Sequence, residues 1–181
     1  FNTNGGTAIT PMTVTYDQAF TLPVAVKTGY TFSEWQLDGV TFVLGTWTGT
    51  SNITIDAIFT ANTYTITFNT NGGTAIDPLT VTYNQSFNLD DAVKTGYTFV
   101  GWTYNALPFT SGTWSIDSDI TIIASWTEWP IIIYNTNGGS SISNQAYAPG
   151  SSITEPIPPT KLGYTFDGWD TAFDNITEVI I

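Results

Sequence analysis

The sequence has no cysteine and no histidine, and only three of its 181 side chains are basic. Without cysteine there are no disulfides and no thiol chemistry, and the redox compartment leaves no trace in the composition. Without histidine the usual general base and the usual transition-metal ligand are missing. Lys27, Lys94 and Lys161 stand against fifteen acids, which leaves a net charge of −12. A surface of that sign repels phosphate backbones and anionic bilayers, so nucleic acid is excluded as a partner and a membrane surface is disfavoured. No run of about 18 apolar residues occurs, so no membrane-spanning helix is expected and no direct membrane insertion. There is no secretory leader, and the chain opens on Phe1, which reads as a piece of a longer polypeptide.

What is present is suited to strands. Hydrophobic residues make up 41% and aromatics 15% of the chain, enough to bury a core, and charged residues are too sparse, at 10%, for a disordered chain. Thr, Ile, Val, Tyr, Phe and Trp recur throughout, the residue types that fit a pleated, half-buried surface.

The chain also repeats itself. "FNTNGGTAI" begins at Phe1 and again at Phe68, and "YNTNGGSSI" begins at Tyr134. "KTGYTFSEW", "KTGYTFVGW" and "KLGYTFDGW" start at Lys27, Lys94 and Lys161, so both intervals are 67 residues (94 − 27 and 161 − 94). Three units follow, spanning 1–62, 63–129 and 130–181, the first without the start of its first strand and the third shorter and cut at its end.

Each unit reads as strands and turns. In "YTITFNTNGG", Tyr64, Ile66 and Phe68 alternate with polar residues, the period of a half-buried strand. Asn-Gly then reverses the chain, which makes Gly5, Gly6, Gly72, Gly73, Gly138 and Gly139 the turn glycines. "NLDDAVK" (88–94) has the composition for one short helical turn. "GYTF" is a strand, and Gly101 marks a bulge that re-aims Trp102. "SNITIDAIF" and "SDITIIASW" are closing strands, and "NITEVII" looks like their counterpart in unit three. Units one and two carry an added hairpin with Trp47 and Trp114, which unit three lacks. The joints "TANTY" and "TEWP" are not Gly/Ser linkers and should be stiff.

The order "YTITFNTNGG", then "KTGYTFxGW", then "ITIIASW" resembles the Listeria–Bacteroides repeat family, which includes the B-repeat of internalin-type surface proteins. The likeness covers nearly the whole chain three times. It implies small β-grasp-like domains, in tandem, in secreted or wall-attached bacterial proteins. Glu34 replaces the Gly of "GW" in unit one.

Several residues are candidates for a site. Tyr30, Phe32 and Trp35 recur as Tyr97, Phe99 and Trp102 and as Tyr164, Phe166 and Trp169. Such rings can stack on sugars, but a small unit needs its largest apolar groups inside, so they are assigned to the core. Trp47 and Trp114, in Gly/Thr-rich hairpins, are expected to be partly exposed and are the candidate ligand contacts. The acids do not recur: Asp17, Asp38, Asp56 and Asp167 align with Asn84, Asn105, Ile123 and Val100. That pattern argues against a carboxylate pair for glycoside hydrolysis. Asp90/Asp91 and Asp117/Asp119 lie in no recognisable calcium loop. The recurring lysines fit solvated turn markers better than isopeptide crosslinks.

These readings converge on a mainly β, β-rich α+β architecture of three tandem β-grasp-like units in an elongated array. The expected role is a non-catalytic extracellular spacer or stalk of a bacterial surface or adhesin-like protein, with no cofactor and no metal. Its partners would be neighbouring repeats, a host or environmental glycan or protein, or further copies in a fibre. The alternative is a carbohydrate- or protein-binding module using the exposed aromatics of the added hairpins.

Overall fold

The computed structural model describes residues 1–170, and these contain strands and no helix. The strands are β1 (Tyr30–Leu37), β2 (Val40–Thr41), β3 (Asp56–Ala61), β4 (Thr63–Asn69), β5 (Leu79–Thr82), β6 (Ser86–Phe87), β7 (Tyr97–Tyr104), β8 (Leu107–Phe109), β9 (Gly112–Thr113), β10 (Ile120–Glu128), β11 (Ile131–Ile132) and β12 (Gln145–Ala146). They form a three-stranded sheet ordered β2-β1-β3, a five-stranded sheet ordered β5-β4-β10-β7-β8, and the two-stranded pairs β11-β12 and β6-β9. The mainly β expectation holds, as does the tandem repeat. The closing strand expected at "NITEVII" lies outside the described residues.

Contact density divides the chain into two compact units. One comprises Phe1–Thr67, Asp77–Leu89 and Thr110–Thr121; the other comprises Phe68–Ile76, Asp90–Phe109 and the chain from Ile122 onward.

In the first unit, β1 pairs antiparallel with β3, and a two-residue Asp38-Gly39 turn joins it to β2. Both turn residues have positive φ (52° and 79°), the twist that a tight hairpin requires. The register of β1 on β3 skips one residue between Phe32 and Glu34. That bulge puts the Phe32 and Trp35 rings 5.4 Å apart. Trp35 is buried with Ala25, Ile55 and Ala57, and Phe1, Phe32 and Phe59 pack around them. Its indole N–H donates to the Pro23 carbonyl at 2.9 Å, which satisfies the one polar atom the ring carries inside.

In the second unit, β10 pairs antiparallel with β7, with the same skip at Val100, next to Gly101 (φ 148°). Phe99 and Phe68 pack on Trp102 with ring centroids at 5.4 and 5.1 Å. The Trp102 indole N–H donates to the Asp90 carbonyl at 2.9 Å. Tyr134 and Phe166 pack the same way on Trp169, at 5.5 and 5.3 Å. Each repeat therefore builds its core on one three-ring cluster: an aromatic from the first strand, the Phe of GYTF and the Trp of the GW position.

The helical turn considered for 88–94 is not formed. Backbone groups there bond to distant partners instead. The Leu89 N–H donates to the Ser111 hydroxyl at 2.8 Å, the Asp90 carbonyl takes the Trp102 indole, and the Val93 carbonyl accepts from the Thr74 N–H at 2.8 Å. A chain held at both edges in this way stays extended.

Because Trp102 is buried and hydrogen-bonded, Trp102→Ala should lower unfolding free energy by about 3–5 kcal/mol. Urea denaturation followed by far-UV circular dichroism measures this, and a midpoint equal to wild type would remove Trp102 from the core.

Candidate functional site: turn clasps, aromatic motifs and repeat joints

The three Thr-Asn-Gly-Gly turns share one geometry. Asn4, Asn71 and Asn137 have φ of 45°, 49° and 47°, and Gly5, Gly72 and Gly138 have 83°, 85° and 81°. Asparagine tolerates this left-handed region and glycine enters it without strain. The second glycine meets a different constraint. A Cβ on Gly6 would lie 2.6 Å from the Val26 carbonyl oxygen, and one on Gly73 would lie 2.8 Å from that of Val93. At Gly139 the nearest atom is the Thr136 carbonyl oxygen at 3.1 Å. The residue after each turn explains the crowding, because Thr7, Thr74 and Ser140 donate their N–H to Val26, Val93 and Thr160, each at 2.8 Å.

The recurring lysines lock these turns. The ammonium groups of Lys27, Lys94 and Lys161 donate to the backbone carbonyls of Asn4, Asn71 and Asn137 at 2.8, 3.1 and 2.8 Å. Each ammonium also lies over the ring of the tyrosine three residues on: Tyr30 at 4.4 Å, Tyr97 at 4.0 Å and Tyr164 at 4.7 Å. A charge-assisted hydrogen bond and a cation–π contact thus tie the NGG turn to the start of the GYTF strand. All three cations of the chain are used in this way.

The aromatic motif residues differ in exposure. Trp35 and Trp102 are buried, and Tyr30, Phe32, Tyr97 and Phe99 are half-buried beside them. In the third repeat Phe166 and Trp169 are half-buried, while Tyr164 is 72% exposed.

The two hairpin tryptophans also differ. Both are placed by the same backbone pairs: Trp47 exchanges hydrogen bonds with Asp17 and Gln18, and Trp114 does so with Asn84 and Gln85. Both meet a phenylalanine edge-on, Trp47 with Phe20 at 6.0 Å and Trp114 with Phe87 at 5.6 Å. Trp114, however, is only 1% exposed, which corrects the expectation that it faces solvent as a ligand contact. The reason is Tyr64 of β4, whose ring lies 6.3 Å from it in the same unit. Trp47 is half-buried and lines an open groove of about 760 Å³, together with Met12, Tyr16, Phe42 and Ile53.

The acids serve local structure. Asp119 accepts the Thr65 N–H at 2.8 Å. Glu34 accepts from Gln36 and Thr41 at 2.6 and 2.8 Å, and these two bonds hold its carboxyl below the usual carboxylate range. Among the described residues no group of three or more acids is placed to hold a metal ion, and no helix is long and apolar enough to cross a membrane.

The joints between repeats are hydrogen-bonded on the same rule. At the first, the Asn62 N–H donates to the Gly29 carbonyl at 2.9 Å, and the Thr31 hydroxyl donates to the Asn62 side chain at 2.6 Å. At the second, 67 residues on (129 − 62), the Trp129 N–H donates to the Gly96 carbonyl at 2.9 Å, and its indole donates to the Thr98 hydroxyl at 2.9 Å. The first joint adds a ring: Tyr83 lies on Gly29 so closely that a Cβ there would be 2.3 Å away, and it meets Tyr30 at 5.5 Å. The joint bonds were not legible in the sequence, because Asn and Trp at equivalent positions share no side-chain chemistry.

A small β-unit that repeats in tandem around an NGG turn, a GYTF strand and a buried tryptophan is the class that fold and site define. The Listeria-Bacteroides repeat domain matches residues 1–58, 64–127 and 131–180, and the chain belongs to that family. Two proteins of Evansella cellulosilytica are similar. One, named as a membrane protein, is 31% identical over 99% of this chain and 29% of its own length; the other, named as a Gly-rich membrane protein, is 30% identical over 92% and 21%. Internalin H of Listeria monocytogenes is 32% identical over 54% of this chain and 22% of its own length. The chain thus spans less than a third of each of these relatives. No solved structure matches it.

Two outcomes are expected. Lys94→Met keeps the stem but loses the ammonium, and should lower stability by about 1 kcal/mol in chemical denaturation. Lowering pH should remove the contribution of Glu34: its folded pKa is depressed, so its stabilisation is present above the unfolded value of 4.5 and is lost as pH falls through the folded value. Thermal melts of Glu34→Gln and wild type between about pH 2 and 6 should converge at the acid end and separate above it.

Proposed function

We propose that this chain is a non-catalytic spacer segment of a bacterial cell-surface protein, working outside the cell as a row of tandem repeats. The observation that carries the reading is the joint. Asn62 and Trp129, 67 residues apart (129 − 62), each bond the Gly carbonyl and the first Thr of the preceding GYTF strand. Each bond holds the last residue of a repeat on that repeat's own GYTF strand, so the chain passes into the next repeat without a flexible linker. Membership in the family and the relatives named as membrane proteins and as Internalin H support the surface location.

The absence of catalysis fits the work the carboxylates do. Asp119 accepts from the backbone of β4 and Glu34 from side chains on β1 and β2, and no acid recurs at the same position in the three repeats. The acidic exterior keeps neighbouring molecules apart in solution.

Small-angle X-ray scattering on the purified segment tests the role. A single compact domain of this length would have a radius of gyration of about 16 Å, and each repeat alone about 11 Å. A value clearly above the single-domain figure, with a rod-like distance distribution, is the expected result. A compact profile would overturn the spacer reading.

A further inference from the structure

Each of the three clasped turns contains an Asn-Gly pair, Asn4-Gly5, Asn71-Gly72 and Asn137-Gly138, and the sequence has no others. In such a pair the backbone nitrogen of the glycine can attack the side-chain Cγ of the asparagine, because glycine puts no side chain in the way. The nitrogen gives its proton to hydroxide and bonds to Cγ, ammonia leaves with a proton from water, and a succinimide ring results. Water then opens the ring, at the side-chain carbonyl to give aspartate or at the main-chain carbonyl to give isoaspartate. The sum is one water consumed and one ammonia released. All of these asparagines and glycines are exposed, so water and hydroxide reach them.

The folded turn holds this reaction off. Asn71 has a φ of 49°. In this left-handed region the carbonyl oxygen of a residue lies close to its own Cβ, and the next nitrogen therefore points to the opposite side. For the Gly72 nitrogen to reach Cγ, the Asn71–Gly72 peptide plane must turn over. The carbonyl on that plane is the one that accepts from Lys94 at 3.1 Å, and the ammonium is held in turn over the Tyr97 ring at 4.0 Å. A lysine that fixes the oxygen thereby keeps the nitrogen facing away from its target. The side-chain amide is tied as well: Asn71 Nδ2 donates to the Ala124 carbonyl at 3.4 Å, as Asn4 Nδ2 does to that of Ala57 at 2.9 Å.

We propose that the three Asn-Gly pairs are latent deamidation sites, and that each lysine clasp sets the rate at which its own asparagine is converted to aspartate and isoaspartate. Isoaspartate adds a carbon to the backbone of a turn that has no slack, since a Cβ on Gly73 would already lie 2.8 Å from the Val93 carbonyl oxygen. The clasp thus protects an exposed repeat from chemical ageing, a use separate from its contribution to stability. The ammonium has one opposing effect: it draws charge from the Asn71–Gly72 peptide and makes the Gly72 N–H more acidic. The geometry outweighs this, because a nitrogen on the wrong side of the turn cannot attack at any acidity.

The test is to incubate the full chain at about pH 8, where the lysines stay charged, and to follow each asparagine by peptide mapping with mass spectrometry. Isoaspartate is counted by methyl transfer with protein isoaspartate methyltransferase. Lys94→Met should speed conversion of Asn71 roughly fivefold, the change in open population that matches the loss of one such contact, and leave Asn4 and Asn137 at their wild-type rates. Lys161→Met should do the same for Asn137 alone. Ile122→Val weakens the core without touching a clasp and should leave all three rates unchanged. Far-UV circular dichroism identifies a lysine variant that fails to fold, and the other then carries the test. Wild-type rates in both lysine variants would overturn the proposal, and slower conversion would show that acidity outweighs geometry and overturn it too. Equal acceleration at all three asparagines in a folded lysine variant, or acceleration in Ile122→Val, would make global unfolding the route and overturn control by the clasp.

Discussion

An ammonium group held between a left-handed turn and a tyrosine ring is the interaction around which each repeat is assembled. Lys27, Lys94 and Lys161 donate to the carbonyls of Asn4, Asn71 and Asn137 and lie over Tyr30, Tyr97 and Tyr164. Carbonyl oxygens at a turn of this kind point away from the sheet and lack ladder partners, and a flexible lysine stem can bring a cation to them. The contact fixes where the NGG turn sits relative to the GYTF strand. That strand in turn carries the Phe and Trp of the core. With no cysteine and a single lysine in each repeat, few other devices could set this relation in so small a unit.

The core follows from the same placement. A one-residue skip at Ser33 and Val100, just before the GW position, turns Trp35 and Trp102 inward, where their indole N–H groups reach the carbonyls of Pro23 and Asp90. Those carbonyls lie on the extended segment that leads to the lysine. One stretch of backbone therefore serves the tryptophan at one end and the turn at the other. This double use keeps 88–94 extended although its composition suits a helical turn, since its backbone groups are taken by long-range bonds. Glu34 shows how the skip tolerates substitution. In place of the glycine it adopts no positive φ, and it accepts from Gln36 on its own strand and from Thr41 across the hairpin.

The repeats are alike in sequence and unequal in environment. Tyr64 covers Trp114, whereas the equivalent space over Trp47 is open. Tyr83 rests on Gly29 at the first joint, whereas an added Cβ at Gly96 would meet nothing within 4 Å. Position along the array thus gives identical motifs different neighbours.

The sequence by itself determined the repeat, its 67-residue period, the strands of alternating Tyr, Ile and Phe, and the Asn-Gly turns, because period-two patterning and tolerance of positive φ are local properties. It also marked the motif tryptophans, since a small unit has few other groups large enough to form a core. It could not assign the lysines a partner: a carbonyl 23 residues away is backbone, and no side-chain pattern announces it. Nor could it separate Trp47 from Trp114, because they stand at equivalent positions and pair with equivalent loops, and what covers Trp114 is Tyr64, a residue distant in sequence. Burial is a property of what lies opposite, so only the tertiary structure decided which tryptophan belongs to the core and which lines a groove.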